Sequence, residues 1–289
     1  MNKQSKFKKI LPNIILAMVF LIGLGIFLYP YASNFINTWL HMNEVNSYEA
    51  EVSKLSLDSY DKLFNEAYEY NQSLVGRNLK QNKEFCKTSN YNKILSALGN
   101  RMIGYLKINK IQVKLPIYHG TSDEVLQKGI GHYEGTSFPI GKENEHSVLV
   151  GHTGLPSAKL LSDLSEIKLG DYFDVVVLNK VLSYEVDQIL VVEPNDSEAL
   201  ELEEGKTYCT IITCTPYGIN SHRLLVRGKL RDNTASSNIA SEARFVNSNI
   251  IIMIISIPLI IALFILMINL RKRSIIRKEQ NEKLRKEAK

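Results

Sequence analysis

Two long uncharged segments lie near the ends of this chain and separate parts that must fold in different surroundings. Residues 10–31 form a 22-residue stretch without a charged side chain, and residues 250–270 form a second stretch of 21. A helix of about 20 apolar residues is long enough to cross the hydrocarbon core of a bilayer. Each stretch is therefore predicted to be a transmembrane helix. The 218 residues between them suffice for one domain with a substantial core.

Basic residues flank both segments on the side of the nearer terminus. Residues 1–9 contain four lysines and no acid, and residues 271–289 contain nine Lys or Arg against three Glu. Because Lys and Arg accumulate on the cytoplasmic side of a membrane, both termini are predicted to be cytoplasmic and residues 32–249 extracellular. Removing the +4 and +6 of these tails from the net charge of +5 leaves −5 for the middle region. The positive net charge of the whole chain therefore does not indicate nucleic-acid binding. A cleaved signal peptide is the alternative for the first segment, although its core exceeds the usual length of about 7–15 residues.

The region between the segments changes its pattern near residue 102. From about Asn43 to Leu79 the apolar residues recur near the helical period, with Asp58 as the expected N-cap. From residue 102 onward, short β-type runs alternate with turn signals, which favours an antiparallel or mixed β-barrel. The predicted strands are Gly104–Ile108, Leu115–Tyr118, Ser147–Val150, Phe173–Val177, Leu182–Val192, Tyr208–Cys214 and Leu224–Gly228.

The last two predicted strands bring a thiol and a guanidinium together. Cys214 ends one run, Arg223 begins the next, and a Pro-Tyr-Gly-Ile-Asn loop over residues 216–220 joins them. In an antiparallel hairpin the end of one strand faces the start of the next, so these two side chains should be neighbours at one rim of a sheet. A thiol beside a fixed cation suits thioester chemistry, because the cation stabilises a thiolate and a developing oxyanion.

The other cysteines are assigned by position. Three cysteines in an exported region cannot all pair, so at least one is free. Cys209 lies five residues before Cys214 on the same run and should face the opposite side of the sheet, as a small buried core residue.

One histidine is placed to serve as the base. His152 follows the buried-type strand 147–150 and leads into a Gly/Pro loop, where catalytic side chains are often mounted. His119, His132 and His146 lie in turn-rich segments and are expected to be surface or hydrogen-bonding residues. The remaining two histidines lie beside the first membrane segment and beside Arg223.

Four segments carry a family resemblance: residues 115–122 (LPIYHGTS), 129–137 (GIGHYEGTS), 151–158 (GHTGLPSA) and 213–223 (TCTPYGINSHR). Together they resemble the sortases, the membrane-anchored cysteine transpeptidases of Gram-positive bacteria, and especially their class C, pilin-polymerising subgroup. They occur in the family's order over about residues 100–230, and a C-terminal membrane segment is typical of class C.

The resemblance implies a mainly β fold, an eight-stranded β-barrel with short helices, and a catalytic triad of His152, Cys214 and Arg223. The implied substrate is a Leu-Pro-x-Thr-Gly sorting signal near the C-terminus of a pilin or surface protein. Cys214 would attack the Thr carbonyl and form a thioester, and Arg223 would stabilise the oxyanion. His152 would protonate the leaving glycine amine and deprotonate the acceptor, in class C a lysine amine of a second pilin. No cofactor or metal is expected, and the substrate-binding residues are not specified.

One segment departs from class C. Such enzymes commonly carry a lid with an Asp-Pro-aromatic anchor over the cysteine, whereas residues 80–100 of this chain contain no proline. Either the lid is absent, or Phe85, Cys86 or Tyr91 takes the anchoring part. One hypothesis is that Phe85 or Cys86 approaches the Cys214 cleft. The alternative is a solvated loop with an incidental thiol.

The resulting organisation combines two membrane helices, an N-terminal helical segment and one barrel. Its parts are a basic tail (1–9), a transmembrane helix (10–31), a helical or lid segment (32–101), the catalytic barrel (102–231), a linker (232–249), a transmembrane helix (250–270) and a second basic tail (271–289). The leading function is pilin polymerisation. The alternatives are a sortase that joins surface proteins to a cell-wall amine, and a non-catalytic assembly module with the same barrel.

Overall fold

The chain divides into two compact units, residues 1–32 with 240–289 and residues 33–239. This computed structural model describes residues 3–96, 99, 102–155 and 158–231, and scattered positions between 256 and 284. The helices before and within the barrel are α1 (Lys3–Val52), α2 (Leu57–Leu74), α3 (Leu79–Thr88) and α4 (Asp123–Lys128). The strands are β1 (Met102–Ile108), β2 (Val113–His119), β3 (Ile130–His132), β4 (Glu145–Val150), β5 (Tyr172–Val177), β6 (Lys180–Val192), β7 (Thr207–Thr215) and β8 (His222–Leu230).

The first predicted membrane segment forms part of α1. Among the described helices, one stretch, Ile15–Val52, is long and apolar enough to cross a membrane. The second predicted span, residues 250–270, is described only in part, and a shorter apolar helix covers Ile260–Asn269. The predicted linker, residues 232–249, lies outside the described residues. The structure therefore supports one membrane helix of the two that were predicted.

The eight strands close into a barrel in the order β1-β2-β3-β4-β7-β8-β6-β5. Two neighbouring pairs are parallel, β2 with β3 and β4 with β7, and the other pairs are antiparallel. The barrel is thus of the mixed kind that the turn spacing allows. The pattern of short runs missed β3, because three residues that include a glycine are too few to show an alternation.

The wall formed by β4, β7 and β8 separates two apolar clusters. Successive side chains of a strand point to opposite faces. Cys209 and Ile211 belong to the main core, whereas Ile212 belongs to a second cluster on the outer face. Cys209 is fully buried, as expected for a core residue. We call the second set the outer cluster; it comprises Leu79, Val148, Leu200, Ile212 and Leu225, edged by Tyr133, Val150, Leu190, Val192 and Ala199.

The segment before the barrel is helical, as predicted from about Asn43 to Leu79. Helix α1 continues to Val52, and α2 begins after a short break. The N-cap of α2 is Ser56, whose hydroxyl accepts a hydrogen bond from the Ser59 N–H at 3.3 Å. The prediction of Asp58 as the cap was wrong. Asp58 lies in the first turn, where its negative charge interacts favourably with the helix dipole.

Buried polar side chains join these helices to the barrel. The Tyr48 hydroxyl donates to the Ile103 carbonyl at 2.7 Å and accepts from the Leu178 N–H at 2.8 Å. The side chain of Asn71 bonds both the N–H and the carbonyl of Phe138, at 2.8 and 2.9 Å. Because each pair satisfies backbone groups that would otherwise be buried without partners, the helices are integral to the fold.

Candidate active site

The β7–β8 hairpin places Cys214 directly beside Arg223. Their Cα atoms are register partners in the antiparallel pair, with Thr213 opposite Leu224 on the barrel side. The connecting loop is closed by hydrogen bonds from the N–H groups of Ile219 and Asn220 to the Pro216 carbonyl, at 3.1 and 2.9 Å. The predicted hairpin and the pairing of Cys214 with Arg223 across it are therefore confirmed.

The parallel pair β4–β7 brings His152 to the same rim. Val150 pairs with Ile212, and the Gly151 N–H donates to the Ile212 carbonyl at 3.0 Å. Continued for two residues beyond the end of β4, that register places His152 level with Cys214. The Leu161 N–H donates to the His152 carbonyl at 3.2 Å, so the loop that follows is folded back against the histidine.

A hydrogen bond joins the residues that flank the thiol and the imidazole. The hydroxyl of Thr153, next to His152, bonds the hydroxyl of Thr213, next to Cys214. Thr213 is buried, whereas His152 and Cys214 are half-buried. The two reactive side chains thus lie on backbones that are tied together, and both keep access to solvent.

The Arg223 guanidinium is held by one nitrogen only. Nη1 donates to the carbonyls of Asn220 and His222, at 3.2 and 3.1 Å. No carboxylate of the described chain forms an ion pair with this side chain. Its charge is therefore not neutralised within the site, and the remaining N–H donors can serve a bound oxyanion.

The outer cluster forms an apolar floor that leads to this rim. Cys214 follows Ile212 by two residues and Arg223 precedes Leu225 by two, so all four share one face of the sheet. Val150 and Val192, at the ends of the flanking strands, are only partly buried against this floor. The floor residues themselves are buried, so the part that an extended peptide with its carbonyl at Cys214 can contact is the partly exposed edge at Val150 and Val192.

The other histidines do not contribute to the rim. His119, His132 and His146 were predicted to be surface or hydrogen-bonding residues in turn-rich segments. All three are buried near the ends of strands, so the surface alternative was wrong and the hydrogen-bonding alternative is the one observed. Their imidazoles bond backbone carbonyls; His132 Nε2, for example, donates to Ser137 O at 2.9 Å. Burial lowers the pKa of His132 to about 3, so this imidazole is neutral. His222, beside Arg223, instead bonds Ser221 and Glu193.

The segment where a lid was considered forms helix α3. Asn78 caps it in a capping box with Gln81, a signal that the sequence carries and that the prediction overlooked. Cys86 is buried, and burial raises the pKa of its thiol. Its neighbours are Tyr70 and the backbone of Gly135. Neither the solvated loop nor the approach of Cys86 to the Cys214 cleft is observed.

The side chains of the other lid candidates, Phe85 and Tyr91, also pack against neighbouring residues. Phe85 stacks near Tyr70 and Arg77, and Tyr91 is buried with its hydroxyl 2.9 Å from His132 Nδ1. The N-terminal end of α3 does reach the outer cluster, through Leu79. The described part of this segment therefore borders the far end of the apolar floor.

The assembled rim can carry out nucleophilic acyl transfer. It offers a thiol, an imidazole at the same level and a guanidinium without a carboxylate partner, all at the end of an apolar floor. Among the described residues, no group of three His, Cys, Asp or Glu side chains is arranged to hold a metal ion.

Comparison with known proteins identifies the barrel. A family model described as Sortase domain matches residues 106–231. Sortase D of Bacillus subtilis (strain 168) is 30% identical over 129 residues, which are 44% of this chain and 62% of that protein. Sortase A of Bacillus anthracis is 28% identical over 130 residues, which are 45% of this chain and 60% of that protein. The chain spans only 58–62% of the length of the three curated relatives that it matches.

Solved structures extend the similarity beyond the barrel. Sortase C1 from Streptococcus agalactiae is 44% identical with a TM-score of 0.62, covering 66% of this chain and 99% of that chain. Sortase C of Streptococcus pneumoniae is 42% identical with a TM-score of 0.59, covering 66% of this chain and 97% of that chain. These neighbours are of class C, as the sequence motifs indicated.

Proposed function

Because this chain belongs to the sortase family, a family of cysteine transpeptidases, we propose that it is a class C enzyme that polymerises pilins. It would cleave a Leu-Pro-x-Thr-Gly type signal between Thr and Gly and join the Thr carbonyl to a lysine amine of another pilin. The observation that carries the proposal is the pairing of Cys214 with Arg223 on β7 and β8, next to the end of β4 that leads into His152. The structure of S. pneumoniae sortase C, a similar protein, is described in terms of pilin substrate specificity.

The proposed reaction starts at the thiol. The Cys214 sulfur attacks the Thr carbonyl carbon, and the N–H groups of Arg223 that the backbone leaves unused donate to the oxyanion. His152 gives a proton to the departing glycine amine, the C–N bond breaks, and a thioester remains. The acceptor amine then attacks the thioester, His152 takes its proton, and the C–S bond breaks.

The apolar floor supports the choice of donor. The partly exposed edge of the outer cluster, at Val150, Leu190 and Val192, offers aliphatic contacts on one side of Cys214, which suit the Leu and Pro of a sorting signal. The floor itself does not distinguish a pilin from another surface protein. A sortase that uses a cell-wall amine would share this half of the reaction, so the acceptor is what separates the two functions.

We further propose a two-pass membrane arrangement with the barrel outside the cell and both termini in the cytoplasm. The long apolar helix within α1 supports the first crossing. The uncharged residues 250–270 and the basic tail after them support the second.

The test of the proposed function is detection of the thioester. Full-length protein in detergent micelles would be incubated with a Leu-Pro-x-Thr-Gly peptide and analysed by intact-mass and peptide mass spectrometry. We expect an acyl adduct on Cys214 that is absent in Cys214→Ala and is released by a lysine amine. Release only by a cell-wall type amine would favour anchoring over polymerisation. An unmodified wild-type thiol with every signal peptide would favour the non-catalytic module.

A further inference from the structure

The loop that carries His152 folds back on itself after this residue. It leaves β4 at Val150 and returns at Leu161, whose N–H donates to the His152 carbonyl at 3.2 Å. Leu161 is fully buried, and a Cβ atom added to Gly151 would lie 2.6 Å from its Cδ1, so this leucine packs against the residue before His152. The hydrogen bonds that the described residues form here engage the backbone of the loop and not the imidazole. The position of the imidazole therefore depends on how firmly the returning part of the loop is held.

The returning part of the loop contains an unfavourable turn. Leu160 is buried and has a φ angle of 40°, a left-handed conformation that residues other than glycine rarely adopt. Such a conformation persists only where the surrounding contacts fix it. Leu161 provides these contacts on one side. On the other side the Lys159 N–H donates to Asn34 Oδ1 of α1 at 2.8 Å, so Asn34 fixes the backbone one residue before the turn.

Hydrogen bonds within the loop connect Lys159 with the residues that follow His152. Ser162 Oγ donates to the Lys159 carbonyl at 2.5 Å and accepts from the Gly154 N–H at 3.0 Å. A continuous path of hydrogen bonds thus leads from Asn34 through the returning part of the loop to its outgoing part. Loosening the first contact of this path should loosen both parts.

Helix α1 is a firm support for this contact, because its C-terminal part is built into the barrel. Asn34 and the barrel belong to one compact unit, residues 33–239. Tyr48, about four turns further along α1, is fully buried and bonds the backbone of Ile103 and Leu178. Moving Asn34 away from the loop would require the helix to bend or the buried tyrosine to leave its place.

We propose that Asn34 is a positioning residue for His152. By accepting the Lys159 N–H, it holds the returning loop, and through the loop the imidazole, in line with Cys214. This inference rests on the transpeptidase function proposed above. It extends the machinery of that site to α1, the helix that also carries the long apolar stretch.

The role of His152 determines which steps should depend on Asn34. In the proposed reaction His152 gives a proton to the departing amine and takes one from the acceptor, so a misplaced loop should slow both halves. The proposed aliphatic contacts of the donor lie on the strands of the outer cluster and not on this loop. Loss of the Asn34 contact should therefore lower rate constants and leave donor binding unchanged.

The test measures both half-reactions in the full-length protein in micelles. Mass spectrometry follows thioester formation with a Leu-Pro-x-Thr-Gly peptide and release of the thioester by Nα-acetyl-lysine amide. Loss of one hydrogen bond predicts that Asn34→Ala lowers both rate constants about fivefold, with KM for the signal peptide unchanged. Asn34→Asp should restore most of the rate, because a carboxylate oxygen can accept the same Lys159 N–H.

Two further variants separate the loop from general effects on the helix. Thr38→Ala is the matched control on α1, since it removes a hydroxyl that bonds the Asn34 carbonyl within the helix, at 2.8 Å, and it should leave both rates intact. Ser162→Ala breaks the path at a second point and should slow both steps. Because the two contacts act on one loop, the double variant of Asn34→Ala with Ser162→Ala should be little slower than the slower single variant.

Other results would overturn the proposal. Wild-type rates in Asn34→Ala would show that His152 is positioned without α1, while the thioester chemistry would stand. A raised KM with unchanged rate constants would place Asn34 in donor binding instead. Equal losses in Asn34→Asp and Asn34→Ala would exclude the accepted hydrogen bond as the cause. Absence of any thioester in the wild type would overturn the proposed function itself.

Discussion

The guanidinium of Arg223 is arranged so that part of it is fixed and part is available. Backbone carbonyls hold Nη1, which orients the planar group without neutralising it. A lysine at this position would supply charge but not a fixed fork of donors. The chemistry that we propose needs that geometry, because the oxyanion forms at one point beside Cys214.

We therefore expect Arg223→Lys to lower kcat/KM for the signal peptide by about 10²–10³-fold. The rate of thioester formation, followed by mass spectrometry, measures the change. Arg227→Lys is the matched control on the same strand, where the arginine pairs with Asp187 and Glu203 instead. If Arg223→Lys acylates within threefold of the wild type, Arg223 does not stabilise the oxyanion.

The three cysteines should differ in reactivity because their exposure differs. All are free thiols, and only Cys214 is more than slightly exposed. Burial raises the pKa of both Cys86 and Cys209, which lowers their thiolate fraction further. Iodoacetamide should therefore label Cys214 first in the native protein, and the other two only after unfolding. Peptide mapping after brief exposure to iodoacetamide checks this prediction. Equal labelling of Cys86 would contradict the burial of this residue on the inner face of α3.

Buried His132 should make stability depend on pH. Its folded pKa is about 3, against an ordinary value of 6.5, so the unfolded chain binds a proton over a range in which the folded chain does not. Stability from this group is thus complete above pH 6.5 and declines as the pH falls towards 3, by about 2 kcal/mol at pH 5.

The prediction is measured as a difference between two proteins, since other groups titrate in the same range. Burial raises the pKa of Glu145, for instance, to about 7, which acts in the opposite direction. Urea-unfolding midpoints at pH 7 and pH 5 should show a smaller acid loss in His132→Gln than in the wild type. Identical losses would mean that His132 is not buried as a neutral imidazole.

At the scale of elements, the sequence predicted the strands that show an alternation of apolar and polar residues. It missed the features that depend on packing between distant parts of the chain. The hairpin of β7 and β8 follows from two β-type runs and a turn, and the pairing of Cys214 with Arg223 follows from it. The short strand β3 and the burial of His132 depend on neighbours that are distant in the chain. The sequence does carry the capping box of α3 at Asn78 and Gln81, but this segment was interpreted as a candidate lid and its helix was missed.

The closure of the barrel between β1 and β5 depends on a glycine. A Cβ atom at Gly104 would lie 2.1 Å from the Val176 carbonyl oxygen, so any side chain must force the strands apart. We expect Gly104→Ala to cost about 2–3 kcal/mol and to lower Tm by several degrees in a thermal unfolding experiment. Gly205→Ala, at a φ of 72° with open space around it, should cost only about 1 kcal/mol. Equal effects would mean that the strands accommodate the added methyl group, and that the close approach does not make Gly104 necessary.

At the scale of the whole molecule, the proposed two-pass arrangement can be tested independently of catalysis. Epitope tags at both termini should resist external protease on intact protoplasts, while the barrel remains accessible to antibody. Loss of the N-terminal tag would indicate cleavage of the first segment. Digestion of a C-terminal tag would contradict the second crossing. A protein tagged within residues 232–249 provides the accessible control.

The position of β8 in the barrel has a consequence for the order in which this protein becomes active. Among the described strands β8 is the last in the chain, yet it lies between β7 and β6, so the wall stays open until residues 222–230 are in place. Arg223 is carried by that same strand. During synthesis, a chain that ends at Cys214 therefore has a thiol but neither the guanidinium nor a closed barrel. With the catalytic roles that we propose, acyl transfer begins only after β8 has closed the barrel.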